Sequence, residues 1–431
     1  MNPRPLKLAA AVTATVSTLA LVSACAGAGP GQSGGGKALT ATYMKSGTYD
    51  TAAKSLAASF AHSTGSHVKV LSFPYDALRQ NNTNAVISGQ CDYNVVSGSY
   101  YLADIYNKFQ SLDSFATKSN YPSQLAAGLW AHSEYDHGHH IGVPYGPDAY
   151  SLMYRTDLFH KAGLTWPKTW PQLLSDLQTL KKKYGGQGIT PFAFAAGQPE
   201  QLPALFFATY NGDFINGAGH YALDSSQAVQ AISYAQQLLA LAGPNAKSQS
   251  IDAANAQFVN GHAAVLYGWP SFLRTQADDR SASKVAGHWA VGIDPQPGMV
   301  WLSLWQMYMT KCTKDQTAAW KWMTTFSSPT TDKKLFVKDG VNPSFKATYK
   351  DTKLARQHAN YFPGLQANLA RAVNPPLSGE AQDYLASTLG DVFTGKTSPT
   401  AAVAQINKKW SQMTVPAPLL AEGKKNGLTP Q

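Results

Sequence analysis

The chain has 431 residues, more than a single hydrophobic core usually supports, so its length predicts two lobes. Hydrophobic residues make up 44% of the chain and charged residues 14%, a composition that fills cores and excludes general disorder. The net charge of +10 raises nucleic acid as a partner, but the lysines are scattered and no basic stripe is interleaved with aromatic residues. We therefore expect no nucleic acid partner and attribute the charge to attraction by an anionic cell envelope.

The N-terminal residues have the pattern of an export signal. Arg4 and Lys7 are followed by an apolar run over residues 8–22. This run is shorter than the ~20 apolar residues of a membrane-spanning helix, which indicates a signal peptide rather than a permanent span. We therefore expect residues 1–24 to direct export.

The end of the run, Val22-Ser23-Ala24-Cys25, resembles the bacterial lipobox, in which a small residue precedes the cysteine that is lipidated and becomes the new N-terminus. An ordinary signal peptide followed by a chance cysteine is the alternative. Residues 25–36 are rich in Gly and Ser, which is typical of a flexible tether. This interpretation anchors the mature protein through Cys25 on the extracytoplasmic face of the bacterial cell membrane. Without the signal peptide its net charge is about +8.

Hydrophobic periodicity predicts an alternation of strands and helices in the first part of the mature chain. The predicted order is strand, helix, strand, helix and strand, over residues 39–44, 51–62, 68–73, 75–88 and 93–96. Such an order implies a parallel sheet covered by helices, and ligands of these sheets bind beyond the carboxyl ends of the strands. Those ends carry Lys45, Tyr49, Ser97 and Tyr100, which are supporting candidates for a binding site.

The stretch from Gly142 to Trp170 has the signals of a passage between two lobes. Pro144 marks a rigid crossing, Gly163 ends a short helix and Thr169 caps the next helix. The later pattern is mainly helical. It predicts helices over residues 225–242, 314–327, 379–394 and 398–413. It also predicts one strand that leads to Trp269 and another strand over residues 301–310.

Four separated segments carry a family resemblance. They are the stretch Gly142–Trp170, Phe258–Trp269, Ala318–Pro329, and Gly395–Pro399 leading into the last predicted helix. In this order they resemble segments of the extracellular sugar-binding lipoproteins of bacterial ABC importers, the group that includes the maltose- and trehalose-binding proteins. Together the segments extend over nearly the whole mature chain.

The resemblance implies an α/β fold with two lobes, the type II periplasmic-binding-protein fold. Each lobe would be a mostly parallel sheet flanked by helices, and the chain would cross the hinge between them more than once. The first lobe would comprise residues 37–143 and 300–343, and the second lobe residues 144–299 and 344–431. The strand that returns to the first lobe would run antiparallel beside its third strand.

Cys91 and Cys312 are the two cysteines that follow the lipobox. Outside the cytoplasm such a pair is more typical of a disulfide than of a metal site or a nucleophile. The antiparallel return strand that the resemblance implies would place Cys312 opposite Cys91. We therefore expect a disulfide between them.

A sugar site requires aromatic rings that stack on the apolar ring faces and polar groups that pair with the hydroxyls. The resemblance implies that Trp269 and Trp305 approach the ligand. Burial in the core is the alternative for both tryptophans. Ser303 and Leu304 stand where the family usually has paired glycines before the second tryptophan, which puts close approach of the backbone to the ligand in question.

The polar candidates come from several parts of the chain. Asp148 matches the family aspartate just past the crossing, where a carboxylate can accept from two hydroxyls; helix capping or turn formation is its alternative. Arg371 matches an arginine in a late segment. Ser97 stands where relatives often have an aspartate, which weakens one expected acceptor. Tyr145 and Glu200 are supporting candidates by loop position alone.

Enzyme and metal functions find little support in the motifs. The run His137-Gly138-His139-His140 has no frame of further ligands at metal spacing, so we expect a solvated loop. Asp148 and Glu200 are conceivable as a glycosidase pair, but no sequence feature sets their separation. The chain has no nucleophile elbow, Walker loop or dinucleotide fingerprint.

These observations predict a binding protein without catalytic residues, metal or cofactor, and a monomer is expected. It would close two lobes over a small oligosaccharide, for which we expect a disaccharide, and present it to ABC permease subunits in the membrane. One alternative keeps the fold but binds a phosphorylated polyol or another polar solute. Another alternative is a secreted carbohydrate-active enzyme.

Overall fold

The computed structural model describes residues 38–89, 92–126, 128–135 and 138–430. The predicted signal peptide, Cys25 and the tether lie outside the described residues. The same holds for Cys91 and for His137.

The strands follow the predicted alternation closely. Their bounds are β1 (Ala38–Met44), β2 (His67–Phe73), β3 (Val95–Gly98), β4 (Glu134–Tyr135), β5 (His139–His140), β6 (Gly142–Ala149), β7 (Ser151–Arg155), β8 (Thr190–Ala193), β9 (Ala263–Gly268), β10 (Trp289–Val291), β11 (Val300–Met309) and β12 (Ala372–Val373). The strand expected at residues 93–96 instead begins at Val95. Ser97 therefore lies inside β3 and not beyond its end, so that position is a correction to the sequence prediction.

The helices that the periodicity predicted are present with small shifts at their ends. Their bounds are α1 (Tyr49–Thr64), α2 (Tyr75–Ser88), α3 (Asp113–Ser119), α4 (Tyr121–Gln124), α5 (Thr156–Ala162), α6 (Trp170–Tyr184), α7 (Leu202–Thr209), α8 (Ser225–Leu239), α9 (Ile251–Val259), α10 (Pro270–Asp278), α11 (Gln316–Phe326), α12 (Pro329–Asp339), α13 (Lys346–Tyr349), α14 (Thr352–Gln357), α15 (Phe362–Leu369), α16 (Gly379–Phe393), α17 (Pro399–Trp410) and α18 (Ala417–Lys425). Short 3₁₀ helices span Tyr100–Lys108, Ala131–Ser133, Gly185–Gln187, Pro199–Gln201 and Ala246–Ser248.

Local chemistry explains several of these ends. Gly65 follows α1 with φ of 70°, a left-handed conformation in which a residue without Cβ is unstrained. Thr169 precedes α6, and its side-chain oxygen accepts from the backbone N–H of Gln172, as the sequence predicted. Ser398 caps α17 in the same way ahead of Pro399, whose missing N–H has no role at that position.

The first lobe is built on a sheet to which β1, β2, β3, β6, β11 and β12 contribute among the described residues. Strand β1 is parallel to both β2 and β3. Strand β11 is antiparallel to β3, with Tyr308 opposite Val96, and antiparallel to β6 on its other side. The antiparallel return strand that the resemblance implied is therefore confirmed.

The second lobe has a sheet with the order β10, β7, β9 and β8 in the described part of the chain. Strand β7 is antiparallel to both β10 and β9, while β8 is parallel to β9, so the mostly parallel sheet that the resemblance implied is wrong for this lobe. Side chains alternate between its faces, as they must in a strand. Leu152 and Val265 pack in a core with α6, α7, α8, α16 and α17. Met153 and Leu266 pack on the opposite face with α9, α10 and α15. Both faces of this sheet are thus covered, as in a helix-flanked α/β layer.

The chain leaves the first sheet for the second at Tyr150, between β6 and β7, and returns between β10 and β11. Two elements of the segment 344–431 pack on the first lobe: β12 pairs with β11, and Leu419 of α18 lies in the core of the first sheet. The lobe boundaries at 143/144, 299/300 and 343/344 stay a prediction.

The predicted disulfide also stays a prediction, because Cys91 is outside the described residues. The strand register is compatible with it. Met309 of β11 lies opposite Val95, and the backbone N–H of Thr310 donates to the carbonyl of Asn94. The chain beyond Thr310 therefore leads Cys312 toward the residues that precede Asn94.

Candidate functional site

A cleft with a volume of about 450 Å³ lies between the two lobes, within the size range of small-molecule sites. Both lobes contribute to its walls. The residues that line the cleft are Met44, Lys45, Ser46, Tyr49, Tyr75, Asp76, Ser99, Asp148, Gln198, Glu200, Gln201, Ser250, Ile251, Asp252, Trp269, Ser271, Phe272, Trp301, Ser303 and Trp305.

Strand ends and helix starts supply most of the walls. Met44 ends β1, Ser99 directly follows β3, and Trp269 directly follows β9. Tyr75 opens α2, which follows β2 after Pro74. The cleft therefore lies beyond the carboxyl ends of the parallel strands, where an open α/β sheet places its ligand.

Trp305 belongs to an aromatic group on the first-lobe wall. Its ring centroid lies 5.6 Å from that of Tyr49 and 6.5 Å from that of Tyr75. Only 6% of Trp305 is exposed, and the residue lines the cleft. The ring is thus both packed in the core and presented to the cleft, so the two interpretations left open by the sequence are not mutually exclusive.

Trp269 belongs to a second aromatic group on the opposite wall. Its ring centroid lies 4.6 Å from that of Tyr150 and 5.3 Å from that of Trp301. Its indole N–H donates to Oε1 of Gln201 at 3.0 Å, which fixes the orientation of the ring. A ligand in the cleft therefore meets a rigid aromatic surface from each lobe.

Asp148 lies at the junction of the lobes and is 3% exposed. Its Oδ1 accepts from the backbone N–H of Ala149 and from Asn342, and its Oδ2 accepts from both the N–H and the hydroxyl of Ser271. Since Ser271 is in the first turn of α10, Asp148 caps that helix. Burial raises the pKa of the Asp148 carboxyl to about 7, although these hydrogen bonds oppose the rise.

Lys45, Tyr49 and Glu200, predicted from loop position, all line the cleft together with Asp148, Trp269 and Trp305. Lys45 follows β1 and is exposed. Tyr49 is 2% exposed and packs edge-on against Tyr145. Glu200 lies in the 3₁₀ helix before α7 and accepts a hydrogen bond from Gln198.

Three other predicted residues, Ser97, Tyr145 and Arg371, do not line the cleft. Ser97 is fully buried within β3, and Tyr145 packs beneath Tyr49 and against Phe326. Arg371 donates to the backbone carbonyl of Asp294 at 3.0 Å. The backbone of Tyr100 begins the 3₁₀ helix that follows β3.

Residues that the sequence prediction missed include Asp76 and Asp252. Asp76 is in the first turn of α2, directly after the carboxyl end of β2, so the same rule that selected Lys45 could have selected it. Asp252 is in the first turn of α9. No local signal marks it, because α9 reaches the cleft only through the packing of the second lobe.

The structure describes Gly138, His139 and His140 of the histidine run, for which the sequence predicted a solvated loop. His139 and His140 form β5, and Nδ1 of each lies near Asp113, at 2.8 Å and 3.0 Å. The ring of His140 stacks on Trp130 with a centroid distance of 4.4 Å. Among the described residues no group of three or more His, Cys, Asp or Glu side chains has the geometry to hold a metal ion.

Residues 45–333 match the sequence profile of the family described as bacterial extracellular solute-binding protein. The match covers most of the chain, so the chain belongs to this family. A probable ABC transporter-binding protein of Deinococcus radiodurans is 24% identical over 369 residues, which cover 80% of this chain and 86% of the relative. The predicted class of protein, an extracellular solute-binding protein, is thereby confirmed.

Solved structures agree on the architecture. A solute-binding protein from Agrobacterium radiobacter in complex with ribitol superposes with a TM-score of 0.77 at 22% identity, covering 88% of this chain and 98% of that chain. Maltose-bound MalE3 of T. maritima superposes with a TM-score of 0.75 at 22% identity, covering 86% and 98%. The predicted two-lobed α/β fold is confirmed. Across the residues that the structure describes, no helix combines the length and the apolar character needed to cross a membrane.

Proposed function

We propose that this protein captures a small oligosaccharide between its lobes and delivers it to the permease of an ABC importer. The observation that carries this proposal is the pair of rigid aromatic walls around Trp269 and Trp305, with polar side chains between them. Aromatic rings stack on the apolar faces of sugar rings, while carboxylates, amides and hydroxyls pair with the sugar hydroxyls. Such a combination suits a saccharide better than an apolar ligand.

The two solved relatives support a polar, hydroxyl-rich ligand, since one is complexed with ribitol and the other with maltose. A cleft of about 450 Å³ suits a disaccharide better than a long polymer. Lys45, Tyr49, Glu200, Trp269 and Trp305 are the ligand contacts that we propose among the residues predicted from the sequence. Asp148 would contribute mainly by holding α10 in place beside Trp269.

Binding would act by a ligand-biased hinge equilibrium. Each wall supplies part of the contacts to the ligand, and all of these contacts form together only when the lobes approach each other. The ligand therefore stabilises the closed arrangement. The permease would then distinguish the closed, loaded protein from the open one. Turnover of the sugar has no part in this function, and anchoring through Cys25 would keep the protein near its permease.

A thermal-shift screen against neutral sugars, polyols, sugar phosphates and other anions tests the proposal. Stabilisation by a saccharide that is recovered unchanged supports it, because a ligand that binds only the folded state raises the melting temperature. Stabilisation by anionic solutes alone would favour the alternative of a phosphorylated ligand. Appearance of a hydrolysis product would favour a carbohydrate-active enzyme.

A further inference from the structure

The charges around the cleft are opposite in sign to the charge of the whole protein. Asp76, Asp148, Glu200 and Asp252 line it, whereas Lys45 is the one basic residue among the described lining residues. The chain as a whole carries a net charge of +10. The cleft is thus a locally negative region in a basic protein.

Three of these carboxylates have no counterion in the described structure. Asp76 and Asp252 are exposed at helix starts, and Glu200 accepts a hydrogen bond from neutral Gln198. Asp148 differs, because protein donors already occupy both of its oxygens. The first three carboxylates remain available to a ligand.

The carboxylates come from both lobes. Asp76 belongs to α2 of the first lobe, while Glu200 and Asp252 belong to the second lobe. Closure therefore brings like charges from opposite walls toward each other, and their repulsion grows as water leaves the cleft. Lys45 offsets only part of this negative charge. A ligand that carries positive charge would convert the repulsion into attraction.

An independent feature points to a ligand at the same place. Ser99 is a lining residue of the cleft, and its buried hydroxyl has no hydrogen-bond partner among the described residues. Ser99 as a whole is 3% exposed. A buried hydroxyl left unpaired destabilises the protein, so a polar ligand group is the natural partner. The cleft therefore offers one unsatisfied hydroxyl and three uncompensated carboxylates within the part of the chain that the structure describes.

Basic side chains beside the cleft do not reverse this charge. An adjoining cavity shares Tyr75, Asp76 and Glu200 with the cleft and also contains Arg79, Lys247 and Lys396. Arg79 pairs with Asp383, and Lys396 pairs with Asp391. Lys247 therefore adds one further cation to the described residues at the rim, which leaves the excess of carboxylates in place.

We propose that the preferred ligand is an aminated saccharide, a small oligosaccharide with at least one protonated amino group. This inference rests on the proposed function and narrows it. The ammonium group would lie between the carboxylates of the two walls, and the sugar rings would stack on Trp269 and Trp305. Sugar phosphates, which are anions, would be repelled from the same cleft.

Matched pairs of saccharides that differ only by one or two amino groups in place of hydroxyls test this inference. Suitable pairs are the β-1,4-linked glucosamine dimer with cellobiose, 2-amino-trehalose with trehalose, and 2-amino-maltose with maltose. By calorimetry at low ionic strength we expect the aminated member to bind at least about tenfold more tightly, a difference that shrinks at about 0.5 M salt because the charges are screened.

Variants that replace cleft carboxylates by neutral amides test whether these carboxylates cause the preference for the amino group. The double variant Asp76→Asn with Asp252→Asn should remove most of the preference for the amino group, measured as the ratio of the affinities for the aminated and the neutral member of a pair. Glu380→Gln is the matched control, since Glu380 is exposed, pairs with Lys409 and does not line the cleft. Its preference should equal that of the unmodified protein.

The outcomes separate this inference from the proposed function. If the neutral member of the pair binds as tightly as the aminated one, the charge preference is wrong and the saccharide function stands. If the double variant keeps the full preference, the carboxylates are not its source and the inference fails. If no saccharide binds, both the inference and the proposed function are overturned.

Discussion

The two tryptophans of the cleft are held by different neighbours on opposite walls. Trp269 is fixed by the hydrogen bond to Gln201 and by packing against Tyr150, and Trp305 is fixed by Tyr49 and Tyr75. Because neither ring has to be ordered when a ligand arrives, binding would lose little side-chain entropy. Preorganised aromatic surfaces of this kind are typical of strong binding sites.

Substitution of either tryptophan by alanine should therefore weaken saccharide binding by roughly 10- to 100-fold, since truncation of a central aromatic residue removes most of its binding energy. Calorimetric titration of Trp269→Ala and Trp305→Ala with the sugar found in the thermal screen measures this loss. Trp166→Phe is a control, because Trp166 packs on Tyr154 away from the cleft. Unchanged affinity in both alanine variants would show that the stacking site is wrong.

Buried carboxyl groups form a second residue-scale feature. Burial raises the pKa values of Asp294 and Asp332 to about 7, as it does for Asp148. Asp294 accepts from the backbone N–H of Leu152 and from Asn368 through Oδ1, while its Oδ2 has no partner among the described residues. Nearby Arg371 opposes the rise in the pKa of Asp294 but does not cancel it.

A raised pKa gives a definite sign to the pH dependence of stability. Between the unfolded value of 3.8 and about 7, the folded state holds a proton on Asp294 that the unfolded state has lost. This stabilisation is complete below pH 3.8 and disappears as the pH rises through 7. The melting temperature should therefore fall by a few degrees between about pH 5 and pH 8, which corresponds to a loss of roughly 3 kcal/mol from this group.

Asp294→Asn tests this assignment, because asparagine keeps the accepting oxygen and cannot ionise. We expect the variant to match the unmodified protein below about pH 4 and to exceed its melting temperature by a margin that grows up to about pH 7. Scanning calorimetry at several pH values measures both slopes. An identical slope in the variant and the unmodified protein would exclude Asp294 as a source of the pH dependence.

At the scale of elements, hydroxyl caps set several helix starts. The side chains of Thr169, Ser250, Ser328 and Ser398 each accept from a backbone N–H in the first turn of the following helix. These N–H groups have no partner within the helix itself, so the cap satisfies a donor that would otherwise need water. Each cap is local in sequence and therefore visible before the fold is known.

Ser398→Ala should lower the free energy of unfolding by about 1 kcal/mol, because it removes the acceptor for the N–H of Ala401 at the start of α17. Chemical denaturation followed by tryptophan fluorescence measures the change. Ser411→Ala at the other end of α17 is the matched control, since its hydroxyl donates to the carbonyl of Lys408 in the exposed last turn. Equal stabilities of the two variants would contradict the capping role.

At the scale of the whole molecule, an ion pair joins the two lobes beside the cleft. Arg79 of α2 donates to both carboxylate oxygens of Asp383 in α16, at 3.1 Å and 2.7 Å. A Cβ at Gly379 would come within 2.8 Å of the guanidinium, so the glycine leaves room for this arginine. A bidentate pair across the lobes favours their approach more than a single flexible contact would.

Arg79→Ala should shift the hinge equilibrium toward the open arrangement. We expect a larger radius of gyration in solution scattering without ligand and affinity for the sugar weakened by a few-fold, because a smaller fraction of molecules is ready to bind. Lys396→Ala is the control, since it removes an exposed pair with Asp391 inside the second lobe. If Arg79→Ala changes neither quantity, the pair has no part in closure.

The predicted disulfide would act on the whole first lobe by joining residues far apart in the sequence. Closing so long a loop restricts the unfolded chain, an effect typically of about 2 to 5 kcal/mol. Thiol titration of the unfolded, unreduced protein should find Cys91 and Cys312 unreactive, and both should react after reduction. Reaction of both cysteines before reduction would contradict the disulfide.

Much of the fold could be predicted from the sequence because its signals are local. The helix at residues 75–88 has the predicted bounds, and the caps at Thr169 and Ser398 are confirmed. The cleft was foreseen where the ends of strands were considered, at Lys45 and Tyr49. The prediction did not include Asp252, because no local sequence pattern indicates which helix start faces which strand end.

Periodicity and turn chemistry act between neighbours along the chain, so the order of strands and helices, their caps and the family could be predicted from the amino-acid sequence. Which polar groups share the cleft depends on tertiary packing. Ser97 became part of a buried strand, Arg371 was drawn to the carbonyl of Asp294, and Asp148 became a helix cap. Distances between residues hundreds of positions apart depend on how the lobes pack, and no local signal encodes them.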